Sequence, residues 1–234
     1  MEDGGGPERF SKIASGREPQ SPDFEPDGTW YSMVAVRGVL YAVEPNHGEL
    51  DAISPFGEIR RVADISATQG HIVPTAVAYH GNFFVGNLNT FPIQDGSSKI
   101  LKVSTSGRVK TVVTGVTTVL GVAFDCEGYM YILENTGNPF PTPYTGKVLR
   151  VTDDGLEEIA TGLFLPTAMI FGPEGALYVS NVGFGPPGLE TQNLVLRRGG
   201  DDAVPKTMGM VRIRSWSHPR SQSGHSCNSQ MPTS

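Results

Sequence analysis

A repeat limits what this chain can fold into more than any other feature. Residues 166–185 (PTAMIFGPEGALYVSNVGFG) read as a short apolar strand, a glycine turn and a second strand ending on Asn181. Weaker copies occur three times upstream. The segments SMVAV, TAVAY, LGVAF and TAMIF align as equivalent first strands, with intervals of 43, 45 and 47 residues between Val36, Tyr79, Phe124 and Phe171. Each is followed by a turn glycine (Gly38, Gly81, Gly128, Gly175) and a second strand, VLYAV, NFFVG, YMYIL or ALYVS. A third strand is expected at 49–53, 99–103 and 147–151, and a fourth at 58–63, 109–113 and 156–160. Four short strands per unit of this length, joined by glycine-bearing turns, predict an all-β fold, a β-propeller of four-stranded antiparallel blades. A β-solenoid is the structural rival, but its coils are usually shorter.

The ends of the chain depart from the repeat. Residues 9–16 (RFSKIASG) match 155–162 (GLEEIATG), so residues 1–30 are expected to hold one strand of a preceding blade and a proline-rich connection. Residues 31–198 carry the blades, with the third strand of the last copy expected at 193–197. Residues 199–234 are expected to be an irregular, disordered tail rich in Ser, Arg and Gln. His218, His225 and Cys227 fall in that tail without a metal-ligand spacing and are assigned to solvent.

Composition narrows the function classes. The net charge of -6 argues against a nucleic-acid partner. No apolar run is long enough to span a membrane, and the start MEDGGG is not a signal peptide. With Cys126 and Cys227 as the only cysteines, no disulfide framework is suggested. Motifs for serine hydrolysis, phosphate cradling and zinc-protease chemistry are missing from the sequence.

Two features point to a site. Six residues beyond each turn glycine stands an oxygen-bearing side chain, giving the column Glu44, Asn87, Glu134 and Asn181. One reading is that these converge at a channel mouth as hard ligands for Ca²⁺. The other, which needs less, is that each satisfies backbone groups where its strand ends. The second feature is a pair of long strand 2 to strand 3 loops displaying Phe91, Asn138, Phe140 and Tyr144, suited to gripping an apolar or aromatic ligand or a protein. The alternative is that these loops bury their own rings. His47 and His71 are expected near the same face as candidate general bases, though a loop histidine more often serves only as a hydrogen-bonding group.

Residues 80–103, 120–151 and 166–188, including the phenylalanine–proline loops, resemble the ScyD/ScyE family of β-propeller proteins. More distantly the repeats are similar to NHL and gluconolactonase-like propellers, as in LYAVEPNHG at 40–48. The resemblance implies six blades, of which about four are visible here, and a family often exported from the cell. It implies no settled activity. A non-catalytic propeller binding a small molecule or a protein at its loop face is the first functional expectation. A Ca²⁺-dependent lactonase-type hydrolase is the second. An open set of blades would also expose apolar faces able to self-associate.

Overall fold

A computed structural model describes residues 29–137, 140–172, 174–183, 192–196 and 212–213. The alternating apolar pattern folds as expected into antiparallel sheets of consecutive strands. Blade 1 holds β1 (Ser32–Val36), β2 (Val39–Glu44), β3 (Glu49–Ile53) and β4 (Ile59–Asp64), in that order across the sheet. Blade 2 holds β5 (Pro74–Tyr79), β6 (Phe83–Asn87), β7 (Ser98–Val103) and β8 (Val109–Val116). Blade 3 holds β9 (Val119–Phe124), β10 (Met130–Glu134), β11 (Gly146–Thr152) and β12 (Gly155–Leu163). Blade 4 shows β13 (Ala168–Phe171), β14 (Leu177–Asn181) and β15 (Gln192–Leu196) among the described residues.

Two details differ from the sequence reading. A four-residue helix, α1 (Ser66–Gln69), joins blade 1 to blade 2. Inside the stretch expected to be irregular, β16 (Arg212–Ile213) pairs antiparallel with the outer edge of β12, Ala160 opposite Ile213. The expected strand at 9–16 lies outside the described residues, as does all of 199–234 except β16.

The chain divides into two compact units. The first carries blades 1 and 2, and the second carries blades 3 and 4 together with Ile93–Gly96 from the β6–β7 loop. Both units are built by the same contact. In the first, the face of blade 1 bearing Val34, Tyr41, Val43 and Leu50 packs on the face of blade 2 bearing Val77, Phe83, Val85 and Leu101. In the second, Tyr131 and Leu133 of blade 3 pack on Met169, Phe171, Leu177 and Val179 of blade 4. We call these the forward face of one blade and the backward face of the next. Tyr41 and Tyr131 occupy equivalent places in it: the Tyr41 ring lies 4.4 Å from Phe83, and the Tyr131 ring 5.0 Å from Phe171.

Strand pairing also corrects the alignment of the first copy. Leu40 stands opposite Ala35, as Phe83 stands opposite Tyr79, Met130 opposite Phe124 and Leu177 opposite Phe171. Ala35, not Val36, is therefore the equivalent of Tyr79. The cause is the hairpin, which spends two residues between Val36 and Val39 but three between Tyr79 and Phe83. Because side chains alternate along a strand, this slip of one residue exchanges the two faces of β1. Met33 and Ala35, not Val34 and Val36, belong to the backward face of blade 1.

Candidate functional site

The second strands end on Glu44, Asn87, Glu134 and Asn181, all buried. Each side chain turns to the connection that leads into the first strand of its own blade. In the first unit, Glu44 Oε1 accepts the Thr29 N–H at 3.1 Å and the Asn46 N–H at 3.0 Å. Asn87 donates from Nδ2 to the Ile72 carbonyl at 2.8 Å and accepts the Lys99 N–H on Oδ1 at 2.8 Å. In the second unit, Glu134 Oε1 accepts the Thr117 N–H at 2.7 Å and Asn181 Oδ1 accepts the Phe164 N–H at 2.8 Å.

In three of the four connections the next residue is left-handed although it carries a side chain: Val73 (φ 55°), Thr118 (φ 44°) and Leu165 (φ 44°). Such a conformation is costly for β-branched and bulky residues and persists only where its surroundings hold it. The column supplies that hold at each site. Further bonds add to it: Leu88 N–H to the Val73 carbonyl, and Asn135 N–H to the Thr118 carbonyl. No composition cue announces a left-handed valine or threonine, so sequence reasoning passed over these connections.

The two histidines are placed differently. His47 is buried, with Nδ1 3.2 Å from Glu44 Oε2, and its own backbone N–H donates to the same oxygen at 2.5 Å. His71 is half-buried and directly precedes Ile72, the partner of Asn87. Among the described residues, no three His, Cys, Asp or Glu side chains come together as a metal-ligand group.

Glu134 has the richest surroundings. Its Oε2 lies 3.4 Å from Lys147 Nζ, which also reaches Glu158 Oε1 at 3.5 Å. Burial pushes the Glu134 carboxyl above the ordinary glutamate range; Lys147 and the Thr117 N–H oppose this, and the negative charge of Asp95 adds to it. A carboxyl raised in the fold contributes stability that is present below the ordinary glutamate range and lost as the pH rises through its raised value. Glu134→Gln is therefore expected to flatten the pH dependence of unfolding free energy on the alkaline side of the ordinary glutamate range. Urea denaturation at a series of pH values measures this, and an unchanged slope would contradict it. Lys147 and Asp95 were not foreseen as partners, because one comes from the adjacent strand and the other from a distant loop.

The long loops are braced internally. In the β10–β11 loop, Thr136 Oγ1 accepts the Thr142 N–H at 2.8 Å, and Thr145 Oγ1 donates to the Thr142 carbonyl at 2.6 Å. Thr118 Oγ1 donates to the Thr136 carbonyl at 2.6 Å, tying this loop to the left-handed connection before β9. Tyr144 rests edge-on against Phe164, 4.9 Å between centroids, and remains 39% exposed. Phe140 is half-buried. Asn138 lies outside the described residues. In the first unit, Asn89 Nδ2 donates to the Ser97 carbonyl across the base of the β6–β7 loop, while Phe91 is left 67% exposed. Phe91 and part of the Tyr144 ring thus lie at the surface.

Comparison with protein-family models finds no match, and none is found among curated proteins. Solved structures do match. A gluconolactonase from Xanthomonas campestris gives a TM-score of 0.53 at 14% identity, over 75% of this chain and 58% of that one. Virginiamycin B lyase from Staphylococcus aureus, solved with quinupristin, gives 0.52 at 16% identity, over 75% and 54%. A luciferin-regenerating enzyme gives 0.51 at 12% identity, over 66% and 56%. The fold is a β-propeller. At these identities the likeness is one of fold alone, and the chain spans less than two thirds of the length of each of these propellers. No helix among the described residues of this propeller is long and apolar enough to cross a membrane.

Proposed function

We propose that this chain is a non-catalytic binding propeller of the ScyD/ScyE kind, taking a small aromatic molecule or an apolar protein segment on its strand 2 to strand 3 loops. The observation that carries this reading is Phe91, a large apolar ring two-thirds exposed on a loop whose base is hydrogen-bonded. A side chain held out at that exposure contributes little to folding, whereas an aromatic ring on a braced loop loses little entropy on binding. Tyr144, propped by Phe164, offers a similar ring in the second unit.

The Ca²⁺-dependent lactonase-type hydrolase is the second reading, supported by the gluconolactonase among the fold neighbours. It would require Glu44, Asn87, Glu134 and Asn181 to exchange backbone partners for an ion, with His47 or His71 moving protons. The oxygens of Glu44 and Asn87 each hold a backbone N–H already, which supports the binding reading instead.

Chemical-shift mapping with a set of small aromatic fragments tests the proposal. Shifts are expected in residues 88–97 or 135–145, with Phe91→Ala removing the former, Tyr144→Ala the latter, and neither variant changing the melting temperature by more than about 2 °C. Turnover of a δ-lactone that rises with Ca²⁺ would overturn it in favour of the hydrolase.

A further inference from the structure

In the first unit, the β3–β4 turn of blade 1 and the β7–β8 turn of blade 2 share one backbone arrangement and differ at the tip. Ser54 accepts the Glu58 N–H on Oγ at 3.1 Å and the Gly57 N–H on its carbonyl at 2.9 Å. Ser104 accepts the Arg108 N–H on Oγ at 3.0 Å and the Gly107 N–H on its carbonyl at 2.9 Å. Where blade 2 carries Ser106 at the tip, blade 1 carries Phe56, which is 91% exposed. The turn closes on a serine as well as on a phenylalanine, so its closure does not call for the ring, and at that exposure the ring adds almost nothing to folding. Leu40, an exposed apolar side chain, stands at the same end of blade 1, in the row Ala35, Leu40, Ile53 and Ile59 from which the turn departs.

Cations gather at this end of the unit. Arg37 lies in the β1–β2 turn, Arg60 is the second residue of β4, Arg108 closes the β7–β8 turn and Lys110 is the second residue of β8, all four exposed. Gly107 lies so close against the Val62 carbonyl that a side chain would not fit there, which sets Arg108 beside the strand that bears Arg60. None of the four forms an ion pair among the described residues, whereas the neighbouring Arg61 is held by Glu49 and Asp64. Glu58 is the one acidic side chain in the turns at this end of blades 1 and 2. The excess of cations runs against the composition: the chain as a whole carries -6, and the corresponding turns of blades 3 and 4 bear Asp125, Glu127, Asp153, Asp154 and Glu174.

We propose that this end of the first unit docks on an anionic lipid surface, with Phe56 entering the boundary between headgroups and acyl chains and Arg37, Arg60, Arg108 and Lys110 facing the lipid phosphates and carboxylates. The combination of a ring held out by a hydrogen-bonded turn with cations that lack ion-pair partners is what selects a bilayer. A soluble polyanion would engage the cations but leave the ring in water, whereas an anionic membrane attracts the cations and takes up the ring. One aromatic side chain is too weak an anchor alone, and a few cations bind only in proportion to the surface charge, so stable docking needs both. The strand 2 to strand 3 loops take no part, and the proposal stands apart from the binding function assigned to them.

Flotation of the full chain with vesicles at about 0.1 M salt tests this. The wild type is expected to float with vesicles of phosphatidylcholine containing about one third phosphatidylserine, and to stay behind with phosphatidylcholine alone. The double substitution Arg60→Gln and Arg108→Gln is expected to weaken binding by roughly 30-fold, and Phe56→Ser, which installs the residue that blade 2 carries at the same place, by roughly 10-fold. Phe56→Trp keeps an aromatic ring and is expected to bind as the wild type does. All three side chains are exposed, so each variant is expected to match the wild type in far-ultraviolet circular dichroism. A wild type that stays behind with anionic vesicles, that floats equally with neutral ones, or whose binding Phe56→Ser leaves intact would each overturn the proposal. Retention on a DNA duplex at a salt concentration that releases the chain from vesicles would overturn it in favour of a soluble polyanion.

Discussion

Phe83→Ala is expected to lower the unfolding free energy by about 3–5 kcal/mol, the range for removing a fully buried phenylalanine with incomplete collapse of the cavity. Phe83 is wholly inaccessible and begins β6, the second strand of blade 2. Its ring meets Tyr41 of blade 1 at 4.4 Å and Tyr79 of its own hairpin at 5.0 Å, both tilted, so truncation removes two aromatic contacts besides the buried area. The hole cannot close easily, because Leu50, Leu101 and Val103 around it are themselves fully buried on paired strands. Leu40→Ala makes the internal comparison. It occupies the same position in blade 1, yet being 40% exposed it is expected to cost under about 1 kcal/mol in dilute solution. Urea denaturation followed by circular dichroism reads both. Equal costs would mean that Leu40 is packed in solution as tightly as Phe83.

The contrast between Phe83 and Leu40 shows what could be read before any coordinates. The hairpins were legible because alternating apolar residues and turn glycines are local signals, and β1, β3 and the ends of every second strand fall where the repeat puts them. The slip of Val36 against Ala35 was not, since hairpin loops of two and three residues look alike when strands are aligned on a common glycine. Helix α1, Ser-Ala-Thr-Gln, is too short to show a period. The column Glu44, Asn87, Glu134 and Asn181 was visible as a recurrence, but its partners were not. Backbone groups at 29, 72, 117 and 164 have no sequence identity to recognise, and lie 15 or 17 positions upstream.

Asn87→Ala tests what that column does. The variant is expected to lose about 2–3 kcal/mol of unfolding free energy, because the half-buried Lys99 N–H is left without its acceptor and the Ile72 carbonyl loses one of its two donors. The loss is compounded next door, where Val73 is held left-handed and needs Ile72 fixed. Asn87→Asp separates the two halves of the amide: it keeps the acceptor for Lys99 but replaces the donor with an oxygen facing the Ile72 carbonyl, and in a fully buried site it is expected to cost at least as much. Repeating the denaturation in roughly 5 mM Ca²⁺, several-fold above the ~1 mM dissociation constant of the weakest extracellular calcium sites, divides the two readings. If the amide serves the backbone, calcium shifts neither wild type nor variant, and the difference between them is unchanged. If the column holds an ion, calcium stabilises the wild type by an amount that follows its concentration, Asn87→Ala abolishes that gain, and Asn87→Asp, with a full carboxylate, retains or increases it.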